Sequence, residues 1–115
     1  MPETSRSNGS TPDKLGFVLT MCILLWANKG CHDDLTVNED RVLRLVQEHA
    51  GTVVSRIRTT GSDHGPDEIQ VLQFPHDDAL ANYLADPRRT AFAAERNRVV
   101  ARTERYDGQL LPPVM

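Results

Sequence analysis

The sequence predicts an α+β fold: one four-stranded antiparallel sheet with helices on a single face. Three observations predict it. Apolar residues alternate from Phe17 to Trp26, Thr52 to Thr60 and Glu68 to Phe74, which is the two-residue period of strands. They recur at three- and four-residue spacing from Val37 to Ala50 and from Asp77 to Val100, the period of helices. A last extended segment runs from about Ala101 to Leu111. The resulting order, β-α-β-β-α-β, is the split βαβ of a ferredoxin-like sheet, whose helix-free face needs a partner or a ligand.

Strand one, Gly16 to Trp26, is apolar on both faces. Phe17, Leu19, Met21, Ile23 and Leu25 alternate with Val18, Cys22, Leu24 and Trp26, and only Thr20 interrupts. Such a strand is covered on both sides. Helices supply one cover; a second subunit or a closed cavity supplies the other, and this is the argument for a homodimer. Asn28-Lys29-Gly30 turns the chain into helix one. Its cap is Asp33, Asp34 or Thr36, the last forming a capping box with Glu39. Val42, Leu43, Leu45, Val46 and Ala50 make its stripe, and Gly51 supplies a left-handed stop.

In strand two, Val53, Ser55, Ile57 and Thr59 alternate with Thr52, Val54, Arg56 and Arg58. The loop from Gly61 to Pro66 carries turn chemistry, and strand three, Glu68 to Phe74, stops at Pro75. The two strands form a hairpin. Helix two starts near His76-Asp77-Asp78, breaks at Asp86-Pro87 and resumes to Val100, burying Ala91, Phe92, the stem of Glu95 and Val99. Asp107-Gly108 marks a bend or bulge in strand four, and Pro112-Pro113 ends the fold.

At 115 residues, 39% hydrophobic and 25% charged, the chain reads as one globular domain over residues 16–112. A disordered tail is expected at 1–15 and a short tail at 113–115. Net charge is −3, from 13 basic and 16 acidic residues, without the basic excess of a nucleic-acid binder. Lys14 and Lys29 are the only lysines, a bias read as high-GC bacterial codon usage before function. Cys22 and Cys31 make neither a disulfide framework nor a metal spacing, which points to a reducing cytoplasm. The apolar run from Phe17 to Ala27 falls short of the ~18 residues that a membrane span needs, and the first residues lack a basic signal-peptide start. Glycine-rich phosphate loops and nucleophile elbows are absent.

The pattern Glu68…Gln73-Phe74-Pro75…Ala79…Tyr83…Asp86-Pro87-Arg88-Arg89-Thr90-Ala91…Arg96 resembles the DUF1330 group of dimeric α/β-barrel proteins. His49-Ala50-Gly51 is similar to the Glu-His-Gly-Gly helix end of that group. The likeness covers roughly residues 17–110, with Asp86, Arg89 and Ala50 standing where the group has Ser, Tyr and Gly. The wider superfamily includes antibiotic-biosynthesis monooxygenases, EthD-like proteins, muconolactone isomerases and polyketide cyclases. The resemblance implies two sheets packed face to face as a homodimer, a small-molecule pocket between sheet and helices, and chemistry without metal or flavin.

Candidate site residues follow. Trp26, at the end of strand one, is an aromatic wall for a planar substrate, or a core or interface residue. Arg56 and Arg58 share a face of strand two and hold a carboxylate or enolate oxygen, with Glu68, Gln70 or Gln73 as partners, or form a solvated face. His49 is a general base or a helix-end histidine bonded to a backbone carbonyl. Arg96 anchors substrate or pairs with Asp86 or Glu95. Tyr83 is core with its hydroxyl at a rim, and His76 caps helix two. His32 and His64 each neighbour aspartates, but one flexible loop does not fix a metal geometry. His49, Arg58 and Arg96 are therefore the catalytic candidates, with Trp26, Arg56, Gln73 and Tyr83 for substrate binding and neither metal nor cofactor. Three roles stay open: a cofactor-independent oxygenase, cyclase or isomerase of specialised metabolism acting on an aromatic or polyketide-like substrate; a non-catalytic ligand-binding dimer; and a structural dimer.

Overall fold

A computed structural model describes residues 18–61 and 63–114. The tail expected at 1–15, the strand start at Gly16-Phe17, and Ser62 and Met115 lie outside the described residues. In chain order the elements are β1 (Leu19–Ala27), α1 (His32–Glu48), β2 (Thr52–Arg58), β3 (Glu68–Phe74), α2 (Asp77–Leu84), α3 (Pro87–Ala91), α4 (Ala93–Val99) and β4 (Val100–Gly108). The sheet order is β2-β3-β1-β4, with every neighbouring pair antiparallel. Helices pack on one face, as the element order predicts.

Register sorts the sheet residues by face, because cross-strand partners point the same way. Met21 and Leu25 of β1 and Leu72 and Phe74 of β3 are buried beneath the helices. They meet Val42, Leu43 and Val46 of α1 and Ala79, Leu80 and Tyr83 of α2 in one core. Leu35, Val99 and Val100 close a smaller cluster around Leu25. On the other face stand Cys22, Leu24 and Trp26 of β1, Ile69 and Val71 of β3, and Ile57 and Tyr106, which are 54% and 58% exposed. β1 is thus apolar on both flanks. No helix among the described residues is long and apolar enough to cross a membrane.

The ends of α1 differ from the expected ones. The helix begins at His32 with Cys31 as N-cap and no side-chain cap bond. The Asn28-to-Cys31 turn, with Gly30 at φ 79°, delivers the chain one turn earlier than a Thr36 cap allows. Thr36 and Glu39 are therefore interior, and no capping box forms. Asp33 and Asp34 instead complement the dipole of the first turn. At the other end Ala50, not Gly51, takes the left-handed conformation (φ 63°). Gly51 N donates to Val46 O at 2.9 Å and Ala50 N to Gln47 O at 3.2 Å, the paired bonds of a Schellman end.

Gly51 is needed for space. A Cβ there would sit 2.7 Å from both the Phe74 ring and Val46 Cγ1, two side chains with no exposure. Gly51→Ala is expected to cost about 2 kcal/mol by overpacking, checked by urea denaturation. A loss below about 0.5 kcal/mol would mean that the α1–β3 contact yields freely.

β2 ends at Arg58 rather than Thr60, although Thr59 N still bonds Asp67 O. A register shift between Val53 and Ser55 puts Val53 with Arg56 and Arg58 on the helix side, and Thr52 with Ser55 and Ile57 opposite. His76 caps α2, its Nδ1 accepting from Ala79 N at 3.2 Å. The chain breaks at Asp86-Pro87 as expected. The Asp86 carboxylate accepts from Arg88 N at 2.8 Å, and Pro87 opens α3. The expected single helix to Val100 is two, divided at Phe92 (φ −88°, ψ 3°), and Ala91 is exposed rather than buried. Asp107 pairs regularly with Met21, without a bulge. The irregularity of β4 lies at its start instead, opposite Trp26 and Ala27, where Asn28 N bonds Val99 O and draws α4 directly into the strand.

Candidate functional site

Between the sheet and the four helices lies a cavity of about 380 Å³. Met21, Ile23, Leu25 and Leu72 form its sheet side; Val42, Leu80, Leu84 and Phe92 close it from the helices. Set into these apolar walls are Glu39, Gln70, Tyr83, Arg89, Arg96 and Thr103. A mostly apolar hollow with a few converging polar groups is the ordinary form of a small-molecule site.

Glu39 reaches the cavity because of helical period. It lies four residues after Leu35 and three before Val42, on the inward stripe of α1, and is 6% exposed. Gln70 Nε2 donates to Glu39 Oε1 at 2.7 Å and to Glu68 Oε2 at 2.9 Å, bridging two carboxyl groups. Asn38 Nδ2 donates to Glu39 Oε2 at 3.3 Å. Glu68 in turn accepts Arg56 Nε at 2.9 Å and Nη2 at 3.2 Å, and Arg56 Nη1 donates to Asp40 at 2.6 Å. These two buried acids therefore differ: Glu68 is hydrogen-bonded by a guanidinium, whereas Glu39 is hydrogen-bonded only by amides among the described residues, with the Arg96 charge acting on it without a hydrogen bond. Burial pushes the Glu39 carboxyl above the usual range, the Gln70 hydrogen bond opposes it, and the nearby Glu68 charge raises it further. Such a group can hold a proton or accept one.

Tyr83 packs tilted against Phe74 at 5.3 Å between centroids, with the Arg89 guanidinium carbon 5.1 Å from its ring centre. Burial raises its phenol above the usual value, against the pull of Arg89. Arg96 Nη2 donates to Thr103 Oγ1 at 2.8 Å. Its expected carboxylate partners are otherwise engaged, Glu95 with Arg98 and Asp86 with Arg88 and His49. Tyr83 and Arg96 are thus the two expected site residues that line the cavity. Arg56 stands behind it, reaching Glu39 through Glu68 and Gln70.

The remaining candidates lie elsewhere. Arg58, at the rim of β2, donates to His32 Nε2 at 2.9 Å and pairs with Asp33. His32 Nδ1 lies 2.9 Å from Asp67 Oδ1, so one carboxylate and one arginine already take both ring nitrogens of that histidine. His49 caps α1, and its Nε2 meets Asp86 Oδ2 at 2.8 Å rather than a backbone carbonyl, tying α1 to the start of α3. The Arg88 and His49 hydrogen bonds hold the Asp86 carboxyl well below the usual range. Trp26 is on the helix-free face, donating Nε1–H to His64 O at 3.0 Å with Arg102 stacked 4.3 Å from its ring centre. Gln73 is on that face too, and donates to Thr20 Oγ1 at 3.0 Å instead of meeting Arg56. Among the described residues no group of three or more His, Cys, Asp or Glu is placed to hold a metal ion.

No family model and no curated protein matches the chain. Solved structures do. PA3566 from Pseudomonas aeruginosa is 14% identical, with 83% of this chain and 95% of that chain covered and a TM-score of 0.67. The fold is shared. A nipsnap family protein from Agrobacterium tumefaciens is 20% identical over 85% of this chain and 94% of its own, with a TM-score of 0.65. SnoaB, a cofactor-independent oxygenase from Streptomyces nogalater, is 13% identical over 84% and 96%, with a TM-score of 0.65.

Proposed function

We propose that this chain is a cofactor-independent enzyme that moves a proton on an aromatic or polyketide-like substrate held in the cavity. The observation that carries this reading is Glu39, a buried carboxyl that opens on an apolar hollow and has no cation hydrogen-bonded to it among the described residues. As carboxylate it takes a proton from a carbon beside a carbonyl, breaking the C–H bond and leaving an enolate. Arg96 and the Tyr83 hydroxyl meet the developing oxyanion. The apolar walls exclude water, which strengthens both contacts. From the enolate, return of the proton at another carbon gives an isomerase, attack on a carbonyl of the same molecule a cyclase, and reaction with dioxygen an oxygenase. The fold shared with SnoaB favours the last. Relation to the DUF1330 group, a homodimer closed across the helix-free sheet face, and a cytoplasmic setting belong to the same proposal.

Deuterium incorporation at the α-carbon of 2-tetralone in D₂O, followed by NMR, tests the reading. This probe is a fused-ring ketone with an acidic C–H. The protein is expected to accelerate exchange over buffer alone. Exchange at the buffer rate, with the ketone bound, would favour a non-catalytic ligand-binding role.

A further inference from the structure

The arginines of this fold use one edge repeatedly. Nε–H and a neighbouring Nη–H lie side by side in the guanidinium plane, and together they take both oxygens of a carboxylate. Arg56 does this with Glu68, Nε to Oε2 at 2.9 Å and Nη2 to Oε1 at 3.2 Å. Arg88 does it with Asp86, Arg98 with Glu95 and Arg105 with Asp107.

Arg89 departs from the pattern. Asp86, the nearest acid in sequence, is taken by Arg88 and His49. The Arg89 Nε is buried, and no acceptor among the described residues reaches it, while the side chain lines the cavity. A buried donor without an acceptor is rare in a folded chain and asks for an explanation. Arg96, the second cation on the lining, has only the neutral hydroxyl of Thr103 as a side-chain hydrogen-bond partner among the described residues and acts on Glu39 through its charge alone. Arg105 also lines the cavity, with Asp107 against it, and Glu39 is the one acid on the lining.

The geometry points to a carboxylic acid as the ligand of this cavity: a planar, mostly apolar body against Met21, Leu72 and Phe92, with its carboxylate paired with the Arg89 guanidinium, whose Nε–H has no acceptor among the described residues, and Arg96 as the second cation. The inference rests on the cavity being the functional site and names the class of molecule it holds.

Calorimetric titration at neutral pH with 2-naphthoate and its neutral isostere 2-naphthamide tests it. The full chain is compared with Arg89→Met, which keeps the apolar stem and removes the fork. Naphthoate is expected to bind about tenfold or more tightly than naphthamide, the scale of a charge-assisted hydrogen bond. In Arg89→Met the ratio falls to within about twofold, with naphthamide affinity retained. Arg89→Lys, which keeps the charge but not the fork, is expected to lose most of the preference and serves if the Met variant does not fold. Equal affinity of the two probes for the wild-type chain overturns the carboxylate and leaves the cavity reading standing. A preference untouched in both variants overturns the assignment to Arg89. Binding of neither probe overturns the inference, and tetralone exchange then decides separately whether the cavity is a site.

Discussion

Glu39→Gln is expected to lower the catalysed exchange of 2-tetralone by about 100-fold or more, the usual weight of a positioned general base. The substitution keeps volume and hydrogen-bonding length, so Gln70 retains an acceptor. The new amide NH₂ stands where Glu39 Oε2 accepted from Asn38 Nδ2, so the Asn38 amide flips to present its Oδ1, which is buried with no partner among the described residues. Stability is expected to move the other way. Because burial raises the Glu39 pKa in the folded state, the folded chain holds that proton more tightly than the unfolded one. Its stabilising contribution is complete below the ordinary value of 4.5 and is lost as pH rises through the raised one. The amide that replaces the carboxyl does not titrate, so the variant gains on the wild type as pH increases. An inactive variant that melts higher at neutral pH is the signature of a residue kept for chemistry at a cost in stability. Unchanged exchange would remove Glu39 from the reaction.

The second large effect is on folding. Arg56→Ala is expected to destabilise the chain by about 3 kcal/mol, because it strands a buried carboxylate. Glu68 is 2% exposed, and among the described residues Arg56 is the only cation paired with it. The Gln70 amide that remains is already shared with Glu39. Replacing both partners, Arg56→Met with Glu68→Leu, is expected to recover most of the loss, since a buried pair is worth little against well-packed apolar groups. Urea denaturation of the single and double variants separates the two effects. A single-variant loss under about 1 kcal/mol would place the pair with ordinary surface ion pairs.

Most of the fold was legible because periodicity is local. The α1 stripe, the Glu68–Phe74 strand, the hairpin and the break before Pro87 follow from spacings of two, three and four residues and from proline geometry. The two apolar flanks of β1 were readable for the same reason. What stayed hidden depends on partners distant in sequence. Trp26 and Gln73 lie on the helix-free face because Leu19 pairs with Phe74 and Thr20 with Gln73, a register that no local pattern states. His49 finds Asp86 across 37 residues. Glu39 was open to view, an acid four residues past Leu35 on an apolar stripe, but Thr36 three residues before it offered a competing capping reading. Arg89 carries no local signal, because its neighbour Arg88 has the same chemistry and takes Asp86.

The central claim is that the carboxyl of Glu39 exchanges protons from within the cavity. A carbon-13 NMR titration of the side-chain carboxyl, assigned by its loss in Glu39→Gln, reads that directly. A midpoint above the unperturbed 4.5 is expected, moving lower when the Glu68 charge is removed, as in Glu68→Leu. A midpoint at or below 4.5 would contradict it.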